Sequence, residues 1–122
     1  MIPAPVKPTI PPDILNQIDI RVGTIESVSD VPGSDKLVAL RVNFGDQART
    51  IVAGLKRERP NPREIEGRQA LFVVKVRCQT WSRARCGAWF SEGILFDIGY
   101  ADGVRPVLAV PESALPDGCR AG

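Results

Sequence analysis

Apolar residues in this chain recur at every second position, in short runs bounded by turns rich in glycine and proline. Ile18, Ile20 and Val22 alternate with Asp19, Arg21 and Gly23, and Leu40, Val42 and Phe44 alternate with Arg41 and Asn43. Ile94, Phe96 and Ile98 alternate with Leu95 and Asp97. A period of two sends successive side chains to opposite faces, so each run predicts a half-buried strand. Residues 49–53 predict a third strand, and the apolar run over 70–76, interrupted by Lys75 alone, predicts a fourth that is covered on both faces. Turn sequences fall between the runs at 31–35, 44–47 and 101–103, and residues 107–110 make one more short strand. In the first strand the alternation slips at Gly23-Thr24, so that Ile25 and Val28 become the apolar positions. A glycine at such a slip predicts a bulge, which would supply the bend a small barrel needs. Residues 60–67 read as a short helix, with Asn61 as cap, Pro62 in the first turn and Gly67 at the end. Ile14, Leu15 and Ile18 could face one way from a single helical turn, while the five prolines of residues 1–12 favour an extended arm. The expectation is an all-β domain over 13–122: a five-stranded barrel with a short helix between strands three and four, and extensions at both ends.

Size and residue usage exclude several classes of function. A chain of 122 residues makes one domain and buries roughly two-thirds of its unfolded surface, enough to dispense with disulfides or a structural metal. The three cysteines, Cys78, Cys86 and Cys119, lack paired metal-ligand spacing, and there is no histidine. Three reduced thiols and no cofactor is the reading they favour. Without histidine there is no Ser-His or Cys-His nucleophile pair. No carboxylates are spaced as a pair and no glycine-rich phosphate loop occurs, so an enzyme is the least favoured class. No apolar run approaches the roughly 18 residues of a membrane span, and the expected compartment is the cytoplasm.

Charge is segregated. Residues 49–85 hold ten basic side chains against three acidic ones, within a chain whose net charge is only +2. Such a stretch suits a polyanion, although a solvated basic surface would look the same.

Four short pieces occur in a fixed order: D-I-R-V-G-T-I at 19–25, S-D-K-L at 34–37, I-V-A-G-L at 51–55 and S-E-G-I at 91–94. Together they resemble the tRNA-binding domain family, whose pattern runs approximately D-[IL]-R-V-G-x-I, P-x-A-D-K-L, I-V-S-G-L and S-E-G-M. That family takes in free-standing tRNA-binding proteins, C-terminal domains of methionyl-tRNA synthetases and CsaA-type chaperones. The resemblance covers residues 14–118 and implies an OB-fold that grips folded tRNA by shape and phosphate contacts. It also implies a homodimer, built through the turn at 14–18 and the tail at 104–118, and a module that could serve an aminoacyl-tRNA synthetase. A CsaA-like chaperone taking unfolded polypeptide is the alternative. The chain departs from the pattern at Ala53, at Ile94 and over 75–87, where only basic character and Gly87 survive.

The residues expected to meet RNA follow from both lines. Lys36 stands in the piece matching D-K-L and could direct its ammonium at a phosphate while Asp35 holds the turn; the plainer reading is a surface ion pair. Lys75 and Arg77 share one face of the fourth strand, and Arg83 and Arg85 flank Trp81 in sequence. Cations with an interleaved aromatic suit looped RNA, the ring stacking on a base, although Trp81 could equally plug an apolar gap. Ser91, in the last piece, completes the set.

Overall fold

The first strand organises the molecule because its two halves serve different neighbours. In the computed structural model, which describes residues 1–74 and 91–122, β1 (Ile20–Asp30) pairs antiparallel through its second half with β2 (Val38–Asn43), from Thr24 opposite Asn43 to Asp30 opposite Val38. Its first half pairs with β4 (Gln69–Val73), from Ile20 opposite Val73 to Thr24 opposite Gln69. Strand β3 (Ala48–Ala53) lies outside β2, and β5 (Ile94–Leu95) lies outside β4. The order β3-β2-β1-β4-β5 gives an all-β, curled five-stranded antiparallel sheet, a half-barrel.

The curl brings the two edges together. Glu92 N donates to Thr50 O at 2.9 Å, Thr50 N donates to a Glu92 carboxylate oxygen at 3.0 Å, and Val52 N donates to Ser91 Oγ at 3.0 Å. Arg49 reaches across the same seam to the carbonyls of Val74 and Glu92, at 3.1 and 3.3 Å. A Cβ on Gly93 would lie 2.6 Å from Val73 O, so only glycine permits this approach.

The bend in β1 is not where the alternation slips. The register shifts between Ile25 and Ser27, leaving Glu26 as the extra residue. Gly23 serves packing instead: a Cβ there would stand 2.6 Å from Val42 Cγ1 and 2.7 Å from Phe44 Cε1. Its missing side chain admits the pair Phe44 and Phe72, whose rings meet edge to face with centroids 5.5 Å apart. Around them the core gathers Ile25, Leu40, Val42, Ile51, Ile65 and Leu95, while Val31, Leu37, Ala39 and Val52 form a smaller cluster.

The short helix expected between strands three and four is also corrected. That segment holds a single 3-10 turn, Pro62–Ile65, and the one α-helical turn among the described residues, α1 (Pro12–Leu15), precedes β1. Pro60 and Pro62 have no N–H to donate, and Gly67 turns away at φ +85°, so too few residues remain for an α-helical ladder. Asn61 caps through its carbonyl, which accepts from Glu64 N at 3.1 Å, and not through its side chain.

The expected strand over 93–99 divides in two. After Leu95, Phe96 N donates to Leu71 O at 3.0 Å, and the chain then leaves β4 to pair as β6 (Asp97–Ile98) with β7 (Val107–Leu108). The buried residue is Leu95, while Phe96 and Ile98 face outward. The C-terminal tail runs along the side of β1 that β2 leaves open. Gly118 N donates to Val22 O, Val22 N to Cys119 O and Ala121 N to Ile20 O, all at 2.8–2.9 Å. Asp117 locks the tail by accepting from Thr24 Oγ1 at 2.6 Å and Gln69 Nε2 at 3.0 Å.

Candidate nucleic-acid interface

Lys36 is positioned by a serine. The Ser34 hydroxyl oxygen is buried and accepts from Leu37 N at 2.9 Å and from Lys36 N at 3.3 Å, the local bonding pattern by which serine fixes a turn. The neighbouring Asp35 carboxylate meets Arg57 at 3.0 Å. Leu37 is fully buried and anchors the turn from beneath. Lys56 ties it to the segment after β3, its ammonium donating to Ser34 O at 2.8 Å and meeting Asp30 at 3.2 Å. The Lys36 stem lies over Gly54, where a Cβ would come within 3.3 Å of its Cε.

Lys36 forms one wall of an open groove of about 390 Å³. Val52, Ala53, Leu55 and Leu95, all buried, line its apolar surface with Ile94, and Glu58, Asp97 and Tyr100 complete it. Three of the four sequence pieces therefore converge here: Lys36 from the second, residues 52–55 from the third and Ile94 from the fourth. The Glu58 carboxyl is pushed above its ordinary value by burial and next by the nearby charge of Asp97, against the opposing pull of Arg59 and Lys36. Partial burial likewise raises Asp97. Tyr100 opens a 3-10 turn, Tyr100–Asp102, and stays 62% exposed. No spacing in the chain announced Glu58, Asp97 and Tyr100 as a set, since the meeting of β3 and β5 creates it.

Ser91 sits at the seam beside this groove. Its hydroxyl accepts from Val52 N and donates to Gly93 O at 2.7 Å, so both sides of the oxygen are engaged. Lys75, Arg77, Trp81, Arg83 and Arg85 lie outside the described residues, as do Cys78 and Cys86. The chain passes out of the described residues after Val74 and re-enters at Ser91, both held against β3 by Arg49 and Val52.

The rest of the basic stretch is largely consumed by the fold. Arg49 bonds the seam, Lys56 holds the turn, Arg57 pairs with Asp35, and Arg59, with its side chain 15% exposed, meets Glu64 at 2.6 Å. Arg63 and Arg68 face solvent. Among described residues of the stretch, four of six cations thus have structural partners. Exposed apolar side chains gather elsewhere, with Ile98, Val107 and Val110 on the β6–β7 side and Ile14, Leu15 and Ile18 around α1.

The model of the family described as "Putative tRNA binding domain" matches residues 20–120. A methionine–tRNA ligase of Nitrosomonas europaea is 31% identical over 117 residues, which is 96% of this chain but 16% of the ligase. The chain therefore spans about one-sixth of the length of that relative. Among solved structures, a MetRS related protein from Pyrococcus horikoshii superposes with a TM-score of 0.80 at 27% identity, covering 95% of this chain and all of the other. The chaperone CsaA of Bacillus anthracis shares the fold, with a TM-score of 0.73 at 21% identity over 94% of this chain and all of that one. With all seven described strands inside the matched span and three of its sequence pieces meeting at one groove, the chain belongs to the tRNA-binding domain family.

Proposed function

We propose that this protein is a non-catalytic tRNA-binding protein that recognises folded tRNA through its shape and phosphates. The observation that carries this reading is the convergence of Lys36, residues 52–55 and Ile94, pieces shared with the family, on one open groove. Phosphate contacts are assigned to Lys36, at the groove, and to Lys75, Arg77, Arg83 and Arg85, with Trp81 stacking on an exposed base. Ser91 contributes by holding the seam beside the groove, since its hydroxyl is already engaged. The full chain works as a homodimer that lays two such faces on one RNA. Its interface draws on the apolar side chains around α1 and along β6–β7, where Ile98 is 59% exposed. Recruitment of tRNA to an aminoacyl-tRNA synthetase in trans is consistent with the relationship to the ligase.

A second reading, a chaperone for unfolded polypeptide, draws support from the apolar lining of the groove and from the CsaA fold. The two are separated by competition. Labelled bulk tRNA should bind the full chain and resist displacement by an excess of unfolded polypeptide. Polypeptide that binds tightly while tRNA does not would establish the chaperone reading instead.

A further inference from the structure

Away from Lys36, the floor and far wall of the groove are poorly built for a phosphate and well built for a base. Its floor of Val52, Ala53, Leu55 and Leu95 is apolar, and an anion lowered onto it would meet the carboxylates of Glu58 and Asp97. Those two groups are close enough for the charge of Asp97 to hinder ionisation of Glu58. A volume of about 390 Å³ is at the low end of small-ligand sites, roughly 300–1,000 Å³. That suits one flat aromatic group with apolar faces and a polar edge. An ionised carboxylate only accepts hydrogen bonds, so the edge it selects must donate. Cytosine, adenine and guanine each offer an exocyclic amino group, whereas uracil turns two carbonyl oxygens and a single N–H toward the same groups. Tyr100, exposed at the wall, offers a ring face for stacking. Lys36, with its stem along Gly54, is placed to meet the phosphate that must follow the base.

We propose that this groove holds one unstacked, amino-bearing nucleobase of the bound RNA, with Glu58 and Asp97 accepting from its amino edge, Tyr100 against its face and Lys36 on the adjoining phosphate. The inference rests on the tRNA-binding reading and adds to it a base preference that shape and phosphate contacts do not give.

Oligocytidylate and oligouridylate of equal length are titrated against labelled tRNA bound to the full chain. Oligocytidylate should displace tRNA about tenfold more effectively, the discrimination of one well-made amino-edge contact. The paired substitution Glu58→Gln and Asp97→Asn, which gives the wall donors as well as acceptors, should bring the two oligonucleotides within about twofold. The first comparison needs no variant, so it stands even if the substituted chain folds poorly. Equal displacement by both oligonucleotides, with tRNA still binding, overturns the base site and leaves the tRNA-binding reading intact. Discrimination that persists in the paired variant also overturns it. A lysine-rich peptide that displaces oligocytidylate only when Glu58 and Asp97 are present would assign the acidic wall to a cationic side chain and overturn it as well. Failure of the native chain to bind tRNA at all would instead refute the reading beneath it.

Discussion

At the scale of single residues, the family's short sequence pieces prove to be packing and turn-forming devices. Gly23 admits Val42 and Phe44, and Ser34 ties the turn that carries Lys36. Gly23→Ala would push a methyl into Val42 and the Phe44 ring, and overpacking of this kind costs about 1–3 kcal/mol. Urea denaturation of the variant should show a lower midpoint; an unchanged midpoint would mean that the core relaxes freely. Glu58 and Asp97 give a second test. Their carboxyls are raised above the ordinary 4.5 and 3.8, so the folded state holds those protons more tightly than the unfolded chain does. The stability they contribute is therefore full below the ordinary values and is lost as pH rises through the raised ones. Replacing both with Gln and Asn removes that loss, so the variant should melt above the native protein at neutral pH. The gap should close as pH falls toward about 4, and a gap that widens on acidification would contradict the assignment. Neither carboxylate could be picked out beforehand, because they stand 39 positions apart and only the topology joins them. Ser34, in contrast, was open to inspection, since a serine two and three residues before backbone donors in a turn is a local signal.

At the scale of elements, alternation identified the strands but not their ends. Leu40, Val42 and Phe44 face the core as their period requires. The misplaced bulge has a physical reason: an apolar phase slip marks where burial changes sides, and here the close approach of Phe44 at Gly23 precedes the true register shift by three residues. The alternation over 94–98 predicts a single strand because nothing in Ile94-Leu95-Phe96 signals that the hydrogen-bonding partner changes from β4 to β7 at Phe96. The tail carries no strand signature at all, yet residues 118–121 complete the backbone bonding of β1. Ending the chain after Pro116 would strip three backbone hydrogen bonds from Ile20 and Val22, together with the bonds of Asp117 to Thr24 and Gln69. At about 1 kcal/mol each, these losses amount to a large part of a small domain's stability. Thermal unfolding of that truncation should show a fall of well over 10 °C or loss of the cooperative transition. A melting temperature near that of the full chain would show that the tail is an accessory.

At the scale of the whole molecule, the described part of the basic stretch gives four of its six cations to the fold. Counting its charges could not reveal this use, because Arg49 bonding the seam and Arg59 meeting Glu64 look the same in sequence as cations kept for a ligand. The proposed function assigns RNA to Lys36, which the turn of Ser34 presents at the groove, and to Lys75, Arg77, Arg83 and Arg85. A binding face of this kind holds its ligand mainly by displacing counterions from phosphates, which ties affinity to ionic strength. The direct measurement is the affinity of the full chain for bulk tRNA as a function of salt. With four or five phosphates neutralised, a plot of log affinity against log salt should fall with a slope of about −3 to −4. Lys36→Ala should make that slope shallower by nearly one. A native slope near zero, or one that Lys36→Ala leaves untouched, would contradict the account.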